Sequence, residues 1–341
     1  MRVGLDAGLT VGTATGIGQY VRGLERALAA AGVEVVALSD PRIDPWRFDR
    51  RVYWDQIALP SLARAARVDI VHCASGTMPL ALALPTVVTV HDVAWLRRAQ
   101  AHARFYARWY FGTFSIARYR RATRIVVDST FSRDELIEVG GLPASSMDVV
   151  YPGVDQAFGS VVRRADARTI LVVGTIEPRK NLKAVVRALP ALPEARIVAV
   201  GPHTPYAGEC AALAASLGVA HRLEMPGYVT ADALLELYAT AAVAAVPSEY
   251  EGFGYAAAQA LCAGLPPIVS DRSSLPEVVA GDALVLALED DAAWIAALRD
   301  GLSGRLEDRA RTTRDAARER FAWSTAARRL IGIYTEALAA N

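Results

Sequence analysis

Residues 243–271, VAAVPSEYEGFGYAAAQALCAGLPPIVSD, hold the pattern that decides the architecture. VAAVPS is an apolar run of strand length, GFG breaks it, AAAQALCAG is a helical stretch closed by Gly264, and PPIVSD is apolar again. A strand that returns through a helix to a second strand is a crossover unit, and such units build parallel sheets covered by helices. The alternation continues outward in both directions. TILVVGTI, ARIVAVG and HRLEMPGY precede this stretch and DALVLAL follows it. Earlier still, RVGLDA, VEVVALS, VDIVHC, PTVVTVHD, RIVVDS and MDVVYPG read as strands, with GQYVRGLERALAAAG as a helix ended by glycine. The pattern lapses over 153–167, where a Pro-Gly turn leads into VDQAFGSVVRRADA. The expected organisation is therefore two α/β domains, 1–160 and 168–325, with a helical stretch over 326–341 able to pack back on the first.

A chain of 341 residues with 53% hydrophobic and 21% charged residues can form two cores of ordinary size. The net charge of +1 offers no global field for nucleic acid. Cys73, Cys210 and Cys262 are odd in number and far apart, which favours buried thiols over a disulfide framework or a metal knuckle. MRVGLDAGL lacks the apolar core of a signal peptide, and no run of eighteen apolar residues follows, so a cytoplasmic location is expected.

One stretch departs from the even charge balance. Arg97, Arg98, Arg104, Arg108, Arg118, Arg120, Arg121 and Arg124 occur with no acid among them, interleaved with Phe105, Tyr106, Trp109, Tyr110, Phe111 and Phe114. This composition suits peripheral contact with an anionic membrane surface. The plainer alternative is a solvated helix whose aromatics face the core.

In open parallel sheets ligands bind beyond the carboxyl ends of the strands, so polar residues just after strand patterns are the candidates. Gly12, Gly16 and Gly18 follow the first strand, where glycine permits close backbone approach and a helix N-terminus attracts phosphate. Their spacing is not the dinucleotide fingerprint, and a tight loop is the alternative. His91 and Asp92 end VVTVHD: the imidazole can meet a sugar hydroxyl or phosphate, and the carboxylate can orient a ring or cap the next segment. Arg179 and Lys180 stand in a turn ahead of a helix that Asn181 can cap, with Glu177 able to hold Arg179. Two cations beside helix N–H groups suit a pyrophosphate. Glu251 can accept from vicinal hydroxyls or oppose positive charge growing on a sugar carbon, and the N–H groups of Phe253, Gly254 and Tyr255 can face a phosphate. Gln259 lies on the ligand end of the following helix; Ser273, Ser274 and Glu277 border the next loop.

Together, TGIGQYVRGL, VVTVHDVAW, STFSRDEL, VVYPGVD, VGTIEPRKNL, PSEYEGFG and GLPPIVSDRSSLPEVVAGDA resemble, in order, the motifs of the retaining glycosyltransferases of family 4. The wording is most similar to bacterial mannosyltransferases of surface polysaccharide or lipid-linked glycan synthesis. The resemblance implies a GT-B fold, in which two facing Rossmann-like domains bound an interdomain cleft, the first serving the acceptor and the second the donor. It also implies a nucleotide-sugar donor, GDP-mannose in preference to a UDP-sugar, and a saccharide or lipid-linked acceptor. Gly16 and Gly18 would lie near the donor pyrophosphate, His91 would contact the transferred sugar, and Arg179 and Lys180 would neutralise the leaving diphosphate. Glu251 would match the first glutamate of the family's E-x7-E motif, with Phe253, Gly254 and Tyr255 supplying backbone hydrogen bonds.

The second glutamate, which grips the ribose, is replaced by Gln259, and Pro267 stands where valine is usual. An amide keeps one acceptor and gains donors, so altered nucleotide preference is expected rather than an inactive enzyme. No D-x-D-like clamp precedes the site, so neither a metal ion nor a cofactor is implied. A nicotinamide enzyme, which would require the missing ribose-binding acid, is one alternative. A GT-B phosphorylase or synthase and a non-catalytic nucleotide-sugar or glycan-binding protein are the others.

Overall fold

The computed structural model describes residues 1–11, 16–44, 46–94 and 109–340, without the side chain of Thr113. The parallel α/β architecture expected from the sequence is found in both halves. Six strands form the first sheet: β1 (Arg2–Asp6), β2 (Glu34–Leu38), β3 (Ile70–Cys73), β4 (Thr86–Val90), β5 (Arg124–Val127) and β6 (Met147–Val149). They lie in the order β2-β1-β3-β4-β5-β6, every pairing parallel. The second sheet comprises β7 (Thr169–Val173), β8 (Arg196–Val200), β9 (Leu223–Gly227), β10 (Val243–Val246), β11 (Pro267–Ser270) and β12 (Leu284–Leu286), in the order β12-β11-β10-β7-β8-β9. The central strands β3, β4 and β10 are buried throughout, which is why they read as unbroken apolar runs rather than alternating ones. Pro267 opens β11 with its missing N–H at the first strand position, where a ladder tolerates it.

Each sheet reverses direction once. After β1 and β2 the chain returns to the other side of β1 to lay down β3; after β7, β8 and β9 it returns to the other side of β7 to lay down β10. At such switch points the helices leave on opposite faces, and the carboxyl ends of the two neighbouring strands open a crevice. In the second sheet this crevice lies between β7 and β10, and the loops beginning at Gly174 and Pro247 flank it.

Two compact units contain these sheets: Met1–Gly153 with Ala322–Asn341, and Val154–Phe321. The helix Trp323–Ala339 belongs to the first unit and buries Ala326, Ala327, Leu330, Tyr334 and Ala337 in the core with the helix Gly16–Ala30. Its leading residue, Trp323, occupies the space left by two missing side chains, since a Cβ on Gly23 or on Gly153 would sit within 2.3 Å of its ring.

Two sequence readings change here. The lapse over 153–167 does not separate the domains: the first unit ends at Gly153, and 154–167 folds into the second, including 154–160, which the sequence placed in the first. A short helix, Gln156–Gly159, packs against the helix Tyr255–Ala263, and the Arg163 guanidinium donates to the carbonyls of Tyr238, Ala239 and Ala241 and pairs with Glu307. Clamping by one arginine leaves no hydrophobic period to read. The basic surface expected around 97–124 loses Arg118, which is fully buried. Its guanidinium donates to the carbonyls of Met78 and Tyr110 and to Ser115 Oγ, and lies 4.3 Å from the Tyr110 ring centroid. Arg124 is paired with Asp148 at 2.7 Å. Arg120, Arg121 and Trp109 are exposed, whereas Arg97, Arg98, Arg104 and Arg108 lie outside the described residues. All three cysteines are buried free thiols. Among the described residues no helix is long and apolar enough to cross a membrane.

Candidate functional site

In the second unit the crevice residues converge on one carboxylate. β10 ends at Val246, and the chain runs through Pro247 and Ser248 into the loop that carries Glu251. Gly254 is left-handed, with φ of 97°, and an added Cβ would lie 2.7 Å from Leu275 Cδ2. The turn therefore requires glycine on two grounds, backbone conformation and space. The helix Tyr255–Ala263 starts from it and ends at Gly264, also left-handed. From the other strand of the crevice, β7, the chain passes Gly174 into a short 3-10 turn, Pro178–Lys180.

These loops place Lys180 Nζ 2.5 Å from Glu251 Oε1 and Arg179 3.3 Å from Glu251 Oε2. Ser248 donates to Glu251 Oε1 at 2.8 Å, Ser273 Oγ accepts from the Glu251 N–H, and Ser274 donates to the Glu251 carbonyl. Arg179 is fixed in turn by Glu177 at 2.8 Å and by the Tyr250 carbonyl. Burial alone would raise the Glu251 pKa, but Lys180 and Arg179 outweigh it and hold the carboxyl below its usual range. Glu251 is therefore an anion locked between two cations, and it does not cap the helix that follows. A small pocket beside it is lined by Gly174, Thr175, Ile176, Lys180, Pro247 and Ser248.

Asn181 does not cap its helix by its side chain. It sits at the start of Leu182–Ala188 in the left-handed region, φ 50°, and makes no cap hydrogen bond. The turn Pro178–Lys180 uses that conformation to aim both cations at Glu251. Phe253 is buried in ring contact with Tyr255 and Phe321, so Phe253, Gly254 and Tyr255 form the rigid step after the carboxylate.

Gln259, half-buried one turn into the same helix, is engaged by a residue that sequence reasoning missed. The Tyr238 hydroxyl donates to its Oε1 at 3.0 Å. Tyr238 is fully buried and burial raises its pKa, so its proton needs this acceptor. The amide oxygen is thus occupied, which directs the NH2 end away from Tyr238.

The remaining predicted residues belong to the first unit. Gly16 begins the helix Gly16–Ala30 and is exposed, with open space where a Cβ would point, and Gly18 is buried; Gly12 lies outside the described residues. His91 follows β4, with Nδ1 2.7 Å from Asp128 Oδ2 and Nε2 3.0 Å from the Ala74 carbonyl. Asp92 accepts from the Ala94 N–H two residues on, a local turn bond; the segment that it was expected to cap lies outside the described residues from 95 onward. Asp128 was also missed, although it stands immediately after β5 and the same polar-after-strand rule identifies it.

Comparison with known proteins follows the same division. Residues 14–158 match the family model described as Glycosyltransferase Family 4, and residues 154–320 match the one described as Glycosyl transferases group 1. The chain is 30% identical over 234 residues to the D-inositol 3-phosphate glycosyltransferase of Mycobacteroides abscessus, covering 64% of this chain and 53% of that protein. It thus spans about half the length of that relative. An MMP alpha-(1->4)-mannosyltransferase of Mycolicibacterium hassiacum is 27% identical, with 95% of both chains covered. Among solved structures, HepE of Anabaena in complex with UDP and glucose superposes with a TM-score of 0.74 over 98% of this chain and 100% of that one. At 14% identity that likeness bears on the fold alone. With both halves matched in the family's order, the chain belongs to family 4 of the glycosyltransferases and has their GT-B fold of two Rossmann-like domains.

Proposed function

We propose that the protein is a retaining hexosyltransferase that moves a sugar from a nucleotide-sugar donor to an acceptor hydroxyl. The observation that carries this reading is the Glu251 carboxylate held by Arg179 and Lys180 at the switch point of the second sheet. A nucleoside diphosphate brought to this point competes for both cations and frees Glu251 to accept from sugar hydroxyls. As the bond between the anomeric carbon and the phosphate oxygen breaks, the charge passes to the diphosphate, and Arg179 and Lys180 neutralise it. The acceptor oxygen bonds to the anomeric carbon on the same face, and its proton passes to the departing phosphate oxygen. His91 is assigned to the transferred hexose and Gly16 and Gly18 to the pyrophosphate. The second unit is assigned to the donor and the first to the acceptor.

GDP-mannose is the proposed donor: the name of the relative matched over 95% of its length supports the mannosyl group, and the nucleotide is the one that the sequence resemblance implies. A UDP-sugar is the second reading, favoured by the UDP bound to HepE. The proposed acceptor is a saccharide or lipid-linked saccharide. Titration with a panel of GDP- and UDP-sugars, followed by NMR of the product's anomeric centre, tests the whole assignment. Mannosyl transfer with retained configuration is expected. Absence of both binding and turnover across the panel overturns the enzyme reading, and an inverted product overturns the retaining one.

Contact with an anionic membrane surface is proposed for the first unit, resting on exposed Arg120, Arg121 and Trp109 and on exposed Tyr53 and Ile57 one helical turn apart. Flotation with vesicles of pure phosphatidylcholine and of phosphatidylcholine with phosphatidylglycerol checks it; equal, negligible binding removes it.

A further inference from the structure

Both ring nitrogens of His91 face groups that can accept a hydrogen bond. A carbonyl oxygen has no proton to give, so Nε2, 3.0 Å from the Ala74 oxygen, carries hydrogen. Nδ1 lies 2.7 Å from Asp128 Oδ2, and Asp128 is 2% exposed. The other oxygen of Asp128, Oδ1, is buried and reaches no hydrogen-bond partner among the described residues. A buried carboxylate with a single partner needs that partner charged, because an uncompensated charge in this setting is costly. Burial also raises the Asp128 pKa against the opposing pull of His91, so the pair retains a proton on the line between Nδ1 and Oδ2 in addition to the one on Nε2.

The surroundings hold the ring in place. The Tyr20 ring meets it in a T-shaped contact, with centroids 4.7 Å apart and planes at 79°. The Tyr20 hydroxyl lies 3.4 Å from Thr89 Oγ1, which also contacts His72 Nε2 at 2.7 Å; His72 Nδ1 in turn meets the Tyr334 hydroxyl at 2.6 Å. His72 is fully buried, and burial lowers its pKa to about 3, so it stays neutral beside His91. Burial alone would lower the His91 pKa too, but Asp128, with help from the Ala74 carbonyl and Asp92, raises it above its ordinary value. Among the described residues the titratable groups that act on the ring are Asp128 and Asp92, just after β5 and β4, His72 on β3, and Tyr20 on the helix Gly16–Ala30.

We propose that Asp128 is a positioning residue that holds His91 as an imidazolium with both N–H groups turned into the protein. A bound ligand then meets the positive charge and carbon edge of the ring, not a nitrogen. His91 in this arrangement acts on an anionic or electron-rich substrate group by its field, and neither gives nor takes a proton in turnover. The catalytic consequence rests on the transfer reading above; the protonation state does not.

Two experiments separate these levels. In the free wild-type protein labelled with 15N-histidine, the ring nitrogens of His91 are expected to keep the imidazolium signature at pH values where an ordinary histidine has lost it. In Asp128→Asn, a replacement of equal size, the ring should become the neutral Nε2–H tautomer by pH 7.5. A neutral His91 ring at pH 7 in the wild type overturns the proposal with no variant involved. An imidazolium unchanged in folded Asp128→Asn also overturns it. In turnover, wild-type kcat should show no ionisation between pH 6 and 8. Asp128→Asn should lose on the order of 10²-fold in kcat at pH 8, lose measurably less at pH 5.5, where a ring whose pKa burial has lowered begins to regain its proton, and keep its donor KM. A loss that is equal at both pH values indicates a merely structural role and overturns the positioning claim. If no donor is turned over, the transfer reading fails while the NMR result still decides the role of Asp128.

Discussion

Glu251 and Asp128 are both buried carboxylates standing just after strands, one in each unit, and each faces a partner of opposite charge. The partners reach water alike, since Lys180 and His91 each keep 18% of their side-chain surface exposed, but they differ in how they are tied. The Lys180 ammonium ends a flexible stem and can be drawn to an incoming anion, so the Glu251 cluster is an exchangeable clamp. The His91 ring is rigid and engaged at both nitrogens, by Asp128 and by the Ala74 carbonyl, and serves as fixed scaffolding. Burial of a carboxylate thus marks a candidate site, while the tethering of its partner distinguishes a group that lets go from one that does not.

Replacing the clamped group should produce the largest effect. Glu251→Ala is expected to reduce kcat/KM on the order of 10³-fold, measured with saturating acceptor. A loss below tenfold would mean that the carboxylate serves only to store the two cations. Next comes backbone support. Gly254→Ala strains a left-handed residue and drives a methyl into Leu275, and should destabilise the second unit by about 1–3 kcal/mol in denaturant unfolding. An unchanged midpoint would show that Leu275 yields freely.

A titration sharpens the contrast further. Because Glu251 has a folded pKa below its ordinary 4.5, it contributes stability above that pH and loses it as pH falls through the lowered value. His91 has a raised pKa, so its contribution is complete below pH 6.5 and fades as pH rises through the raised value. Glu251→Gln should therefore flatten the acid limb of thermal stability and leave the alkaline limb alone; a change on the alkaline limb would contradict the assignment. The smallest effect belongs to Gln259. Its oxygen is already taken by Tyr238, so Gln259→Glu keeps that bond and exchanges the NH2 end for an acceptor. Donor KM should shift by less than about tenfold, in keeping with one hydrogen bond of 1–1.5 kcal/mol, with kcat unchanged. A large change in kcat would place Gln259 in the chemical step.

How much of this was legible varies by residue. All twelve strands of the described residues fall within stretches that read as strands in the sequence, most plainly β3, β4 and β10, which are buried on both faces and cannot alternate. Arg179, Lys180 and Glu251 could be selected because they follow strands, yet their convergence was not visible. It depends on β10 returning beside β7, and strand order is not written in any local pattern. Arg118 was counted in the basic surface and Arg163 passed unremarked within 153–167, for a common reason. Composition treats arginine as solvated, whereas its planar fork can satisfy several buried carbonyls at once. Tyr238 and Asp128 were missed because each acts through a neighbour far away in sequence.

The discontinuous first unit has a consequence for synthesis. The second unit, Val154–Phe321, is one uninterrupted stretch and can fold as soon as it leaves the ribosome. The first begins earlier but lacks the helix Trp323–Ala339, and with it the side chain that fills the gap at Gly23 and Gly153 and the hydroxyl that meets His72. At about 5–20 residues per second, Met1–Gly153 waits for the whole second unit to be translated with the groove for Trp323, Leu330 and Tyr334 still open. The part of the protein made first is the last to be completed, and that interval is when a chaperone would find the most apolar surface to hold.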